Sequence, residues 1–246
     1  MGVYQNNVIV LRSRNLGEAD RILVLLGEDS GKFEAVVKGA RRQRSRFVGN
    51  TLPFNYLKAQ FFPGKGLDSL SQAELIHPFV KLREDLVKLA YASYWVEMVD
   101  GFLPEKAEAK EVFRFLLAAF VVLEQTVDPI LLNMAFETRL LNYLGYQPQL
   151  NCCVGCGSVA EQISFSAIAG GVICRECGPQ HRDLIALSPD DLNLLTSLAK
   201  TDIRELSVLG FDRSRLSNVQ RILRNFIEAR LEKPLKSKAF LDEVLS

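Results

Sequence analysis

A chain of 246 residues, 48% hydrophobic and 24% charged, has the composition of an ordinary folded protein and is long enough for two domains or three small ones. Its formal net charge of +1 excludes a uniformly basic surface, so any contact with nucleic acid must fall on a local patch. The first residues lack the basic head and apolar run of a secretory signal, and no apolar stretch reaches the roughly 18 residues that span a bilayer.

Residues 1–80 contain short runs rich in β-branched and aromatic side chains. Val8-Ile9-Val10-Leu11, residues 21–26 and Phe33-Glu34-Ala35-Val36-Val37 read as strands, with turns at Asn15-Leu16-Gly17 and at residues 27–31. Residues 56–62 and 69–76 follow, joined by Pro63-Gly64-Lys65-Gly66. Five strands in this span predict a small closed or partly open barrel of the oligonucleotide-binding (OB-fold) kind.

Between the third and fourth strands, residues 38–47 carry five cations, Lys38, Arg41, Arg42, Arg44 and Arg46, and no acid. Guanidinium forks match phosphate oxygens and Gly39 lets the backbone approach closely, which makes this loop the candidate nucleic-acid contact. A solvated connector with no partner has the same composition. The nearby Phe33, Phe47, Phe54, Tyr56 and Phe61 are expected mostly in the barrel core, with stacking on bases as the alternative.

Residues 79–102 repeat apolar side chains at helical spacing through Leu82, Leu86, Leu89, Ala90 and Tyr94, predicting one amphipathic helix. A second is expected over 108–124, and a third opens at Asp128-Pro129 and stops at Gly145. Beyond the cysteines described next, Ser188-Pro189-Asp190-Asp191 is a strong helix start, and a last helix near 216–231 turns Val219, Ile222, Leu223 and Phe226 inward. Arg213, Arg215, Arg221, Arg224, Arg230, Lys233, Lys236 and Lys238 make this end locally basic, either as a solvated face or as a second nucleic-acid surface.

The most specific pattern is Cys153-Val154-Gly155-Cys156, a 17-residue spacer, then Cys174-Arg175-Glu176-Cys177. Two such pairs at this separation match a structural four-thiolate zinc site, in which each knuckle supplies two sulfurs and no coordination position stays open for chemistry. The spacer is suited to folding back, with Ile163-Ser164-Phe165 and Val172-Ile173 as short strands and Gly170-Gly171 as the turn. Disulfides, a redox pair and plain core packing are the competing readings. Cys152 is the odd fifth cysteine, and only Cys153 makes the two-residue gap to Cys156. His181 is a substitute ligand or, with four thiolates at hand, a loop histidine. Thiols arranged for metal point to a reducing cytosol.

The two histidines, His77 and His181, sit in no nucleophile or metalloprotease motif, and neither a phosphate-binding loop nor a dinucleotide fingerprint is present. Asp20 and Glu137 are isolated carboxylates. An enzyme is therefore not expected.

The order of parts resembles the RecO family of bacterial DNA repair proteins. The likeness is carried by Val8-Ile9-Val10-Leu11 with Gly17-Glu18-Ala19-Asp20, by Val37-Lys38-Gly39-Ala40-Arg41, by Leu144-Gly145-Tyr146-Gln147-Pro148 and Ser188-Pro189 flanking the knuckles, and by Leu231-Glu232-Lys233-Pro234-Leu235-Lys236-Ser237. It implies an α+β chain with an OB-fold DNA-binding domain at 1–80, a helical domain at 81–150 and 179–246, and a zinc segment at 151–178. It further implies a non-enzymatic cytoplasmic protein at the bacterial nucleoid that binds single- and double-stranded DNA and anneals complementary strands. Such a protein helps load RecA in the RecFOR pathway, with RecR and the acidic tail of single-strand-binding protein as partners. Family DNA contacts transfer to Lys38, Arg41, Arg42, Arg44 and Arg46, and the zinc ligands to Cys153, Cys156, Cys174 and Cys177. The alternative is a zinc-stabilised protein-interaction adaptor without intrinsic DNA binding.

Overall fold

The computed structural model describes residues 2–159, 162–209, 216–231 and 233–245. Five strands, β1 (Tyr4–Leu16), β2 (Asp20–Gly27), β3 (Gly31–Val37), β4 (Tyr56–Phe62) and β5 (Asp68–His77), close into a barrel in the order β1-β2-β3-β5-β4. All pairings are antiparallel except that of β3 with β5. β1 extends well past its apolar run at both ends, because it serves two neighbours: Tyr4 to Ile9 pair with β4, and Val8 to Leu16 pair with β2. A register shift between Val10 and Arg12 lets one strand bend to do both.

Alternation decides the core. Val8, Val10, Leu23, Leu25, Ala35, Leu57, Ala59 and Phe61 pack inside the barrel. Ile9, Leu11, Ile22, Val24 and Leu26 lie on the other side of β1 and β2, yet they too are buried, because helices cover that face. Phe33, Phe47, Phe54 and Phe61 are core residues, and Tyr56 is half-buried with its ring 6.0 Å from Phe113.

The helices are α1 (Val80–Glu84), α2 (Leu86–Phe102), α3 (Lys110–Gln125), α4 (Ile130–Tyr143), α5 (Pro189–Lys200), α6 (Leu216–Glu228) and α7 (Lys236–Leu245). The single helix expected over 79–102 is two. Asp85 leaves helical geometry, and its carboxylate accepts the N–H groups of Val87 and Lys88 at 2.9 and 3.1 Å, capping α2. The apolar period continues across this break, which is why periodicity alone does not reveal it. α7 is an additional helix with no strong signal of its own in the sequence. Its first turn is held by Glu97 of α2, whose carboxylate accepts from the backbone of Lys236 and Ser237 and from the Ser237 hydroxyl.

The chain packs as two units, Met1–Val127 with Leu235–Ser246, and Asp128–Pro234. In the first, α2 packs on β1 and α3 on β2, and Phe120 gathers Phe54, Phe79 and Trp95 around it at 5.3 to 6.5 Å. In the second, β6 (Ile163–Ser166), β7 (Gly171–Cys174) and β8 (Leu184–Leu187) form a sheet in the order β7-β6-β8, beside α4, α5 and α6. The expected hairpin forms, with Ile163 opposite Cys174 and Ser166 opposite Gly171. Its turn is residues 167–170, and Gly171 belongs to β7, where a Cβ would stand 2.3 Å from the Gln149 carbonyl. β8 is a further strand, and its four residues between a knuckle and a helix start carry too little period to be recognised. Ser188 and Asp191 complete the predicted capping box of α5.

Candidate metal centre and nucleic-acid interface

The β6–β7 hairpin brings the two knuckles together. Cys174 ends β7, Cys177 follows in the next turn, and Val154 donates to the Val172 carbonyl at 2.9 Å, tying the first knuckle alongside β7. The sulfurs of Cys153, Cys156, Cys174 and Cys177 all lie within 4.8 Å of one another, and those of Cys156 and Cys174 are 3.7 Å apart. Tetrahedral zinc with bonds near 2.3 Å requires sulfurs about 3.8 Å apart, so the group has the spacing to hold a metal ion. Cys152 and His181 stand outside it.

The surroundings favour charge on some sulfurs and oppose it on others. The Cys174 N–H reaches the Cys153 sulfur at 3.3 Å and is the chief cause that brings this thiol down to about 6, with the N–H groups of Cys156 and Gly155 adding to it. The Ser158 hydroxyl lowers Cys156. Cys177 is pushed up to about 12, first by hydrogen bonding with Cys174 and then with Cys156. Four crowded sulfurs cannot all ionise against one another, and a bound cation removes that conflict. Gly155 belongs to the same cradle: a Cβ there would sit 3.1 Å from the Cys177 sulfur.

The cationic loop is pinned at its start by the turn between β1 and β2. The Gly39 N–H donates to the Asp20 carboxylate at 2.7 Å, the Arg41 N–H to the Ala19 carbonyl at 2.9 Å, and the Arg41 guanidinium to the Gly17 carbonyl at 3.0 Å. Two motifs far apart in sequence thus form one structure. Successive tight turns follow, from Arg42 to Gly39 and from Ser45 to Arg42. At the far end the Arg46 guanidinium donates to the Ser71 carbonyl at 2.6 Å and lies 5.0 Å from the Phe47 ring centre. Lys38, Arg41, Arg42, Arg44 and Arg46 are all exposed, and among the described residues none is within ion-pair distance of a carboxylate.

Asp20, Glu137, Arg221 and Arg230 have local structural partners. Asp20 holds the loop, and Glu137 is buried and accepts from the Asn133 amide at 3.0 Å. Of the C-terminal cations, Arg230 lies 3.7 Å from the Phe226 ring centre and donates to the Ala167 carbonyl, and burial lowers its pKa. Arg221 donates to Asn218. Arg213 and Arg215 lie outside the described residues.

Sequence reasoning does not single out Phe62, which is half exposed at the end of β4 on the same outward face as Lys58 and Gln60. The period-2 pattern of residues 57–62 is the signal that separates it from its buried neighbour Phe61.

The family model described as Recombination protein O N terminal matches residues 1–79, and that described as Recombination protein O C terminal matches residues 83–239. Among curated relatives, a DNA repair protein RecO of Symbiobacterium thermophilum is 41% identical over 100% of this chain and 99% of its own length. Proteins of the same name from Desulforamulus reducens and Heliobacterium modesticaldum are 32% and 34% identical over 99% of this chain, and over 96% and 91% of theirs.

Proposed function

The chain belongs to the RecO family of DNA repair proteins, and from that membership we propose that it binds single- and double-stranded DNA through the cationic loop of its barrel and anneals complementary strands. The observation that supports this most directly is the loop itself, with five exposed cations on a segment held by its backbone at Gly39 and by the Arg46 side chain at its far end, and no acid paired to them among the described residues. Lys38, Arg41, Arg42, Arg44 and Arg46 neutralise phosphates of two strands together and lower the repulsion that slows their pairing. No covalent step is required, so the protein acts as a mediator and not as an enzyme. In this reading it works in the RecFOR pathway, with RecR as partner, and helps load RecA onto DNA coated by single-strand-binding protein, whose acidic tail it also receives. Its place is the bacterial cytoplasm, at the nucleoid. Among the described residues no helix is long and apolar enough to cross a membrane.

The metal in this reading is zinc, held by Cys153, Cys156, Cys174 and Cys177. It supplies a cross-link that fixes the β6–β7 hairpin to the first knuckle. The Cys153 sulfur, with N–H groups around it, is prepared to bind as thiolate.

Replacing Arg41, Arg42, Arg44 and Arg46 together by Ala is expected to weaken binding to single-stranded oligonucleotides. The slope of log affinity against log salt should become shallower by about 0.7 for each phosphate that the variant leaves unneutralised. Unchanged affinity and slope at matched salt would overturn the proposal.

A further inference from the structure

Barrels of this kind commonly present strands 2 and 3 to single-stranded ligands. Here the outer side of β2 is closed by the chain's own helices: Val24 and Leu26 are buried and α3 packs on that strand. The open face is on the other side, where β4 is flanked by β1 and β5.

The register arranges that face in rows. Gln60 stands opposite Gln5 on β1 and Gln72 on β5, and two residues along, Lys58 stands opposite Asn7 and Glu74. Two residues the other way is Phe62, 51% exposed. Gln5, Lys58, Gln60, Gln72 and Glu74 line a groove of about 420 Å³ whose remaining wall includes Arg46, the last cation of the loop. Arg46 is fixed there by its bond to the Ser71 carbonyl on β5.

The chemistry of this groove differs from that of the loop. Its three amides each offer both donors and acceptors, and with Glu74 opposite Lys58 the single charge left over is Arg46 at its edge, so a run of phosphates is not what it suits. Unpaired base edges need both donors and acceptors, and a base face needs an aromatic surface. A lone exposed phenylalanine is ordinary on a protein surface. This one follows Lys58 and Gln60 on the outward face of β4, one outward position beyond the end of the groove whose wall includes Arg46 of the cationic loop.

We propose that this groove takes the bases of a single DNA strand whose phosphates lie on the cationic loop. Phe62 stacks on a base, while Gln60 and Gln72 hydrogen-bond to edges that a duplex keeps paired. The inference rests on the proposed DNA binding and assigns single-strand selectivity to a surface separate from the phosphate contacts.

The test uses the full chain with three labelled probes: oligothymidylate, an abasic strand of equal length and charge, and a duplex. The unsubstituted protein should bind oligothymidylate more tightly than the abasic strand. Phe62→Ala should weaken oligothymidylate binding by about five-fold or more while leaving the abasic strand, the duplex and the salt slope unchanged. Phe62→Trp should restore affinity, and its fluorescence should be quenched by oligothymidylate. The inference is overturned if Phe62→Ala and the pair Gln60→Ala with Gln72→Ala bind oligothymidylate as the unsubstituted protein does, or weaken it and the abasic strand equally. If the loop arginine variant weakens all three probes while the groove variants change none, DNA binding stands and this inference alone fails. If the unsubstituted protein binds no probe, both fail.

Discussion

The carboxylate of Asp20, the first residue of β2, accepts the backbone N–H of Gly39, two residues past the end of β3, at 2.7 Å. That bond fixes where the cationic loop leaves the barrel. Asp20→Ala should cost roughly 1–2 kcal/mol in urea unfolding, as for a charge-assisted bond that is partly exposed. DNA affinity should fall with it although no cation is removed, whereas Asp20→Asn, which keeps an acceptor, should retain most of both. Loss of stability with full DNA affinity would show that the loop needs no anchor.

Metal should dominate the stability of the hairpin unit. Reduced protein is expected to contain one zinc per chain by elemental analysis, and Cys174→Ser or a strong chelator should release it and lower the melting temperature sharply, since structural zinc contributes on the order of 10 kcal/mol to local folding. Gly155→Ala should weaken retention of the metal, because its Cβ intrudes on the Cys177 sulfur at 3.1 Å. DNA affinity carried by the barrel should survive these changes. Its loss on chelation would assign the metal a part in binding.

Asp183 gives the same unit a sensitivity to acid. Burial works to raise its carboxyl, but the Ile168 N–H at 2.9 Å and the Ser166 hydroxyl at 2.8 Å outweigh that and hold it below the usual value of 3.8. A carboxyl with a depressed folded pKa stabilises the protein above its unfolded value, and that contribution is lost as pH falls through the folded one. Stability should therefore decline below about pH 4, and Asp183→Asn should flatten this acid limb in melts recorded as a function of pH. An acid limb identical in the variant would remove Asp183 as its source.

Phe61 and Phe62 are adjacent and opposite in role. Phe61 is fully buried, with Phe33 edge-on at 5.2 Å and Tyr4 stacked at 5.4 Å. Phe61→Ala should cost about 3–5 kcal/mol in denaturant unfolding. Phe62→Ala should leave the melting temperature in place. Equal losses would mean that the strand is not held in the observed register.

The features legible in the sequence are local. Alternation in residues 33–37 and 57–62 needs no partner to be recognised, and the cysteine spacing reports a site whose geometry is set within each knuckle. The capping box at Ser188 is four residues of self-contained hydrogen bonding. The features that are not legible either leave the period intact, are too short to show one, or depend on distant partners. The break at Asp85 interrupts no apolar period, β8 has only four residues, and α7 is held by Glu97, some 140 residues away in the chain.

The chain by itself determined a barrel, a set of helices, a four-thiolate group and a cationic loop, because period, capping and ligand spacing are properties of neighbouring residues. Tertiary structure decided which surfaces remain for function. Helices close the outer side of β2, the Gly17 to Asp20 turn anchors the loop at Gly39 and Arg41, and strand register alone places Gln5, Gln60 and Gln72 in one row beside Arg46. Pairing between strands fixes those neighbours, and a shift of one residue would exchange every inward side chain for an outward one.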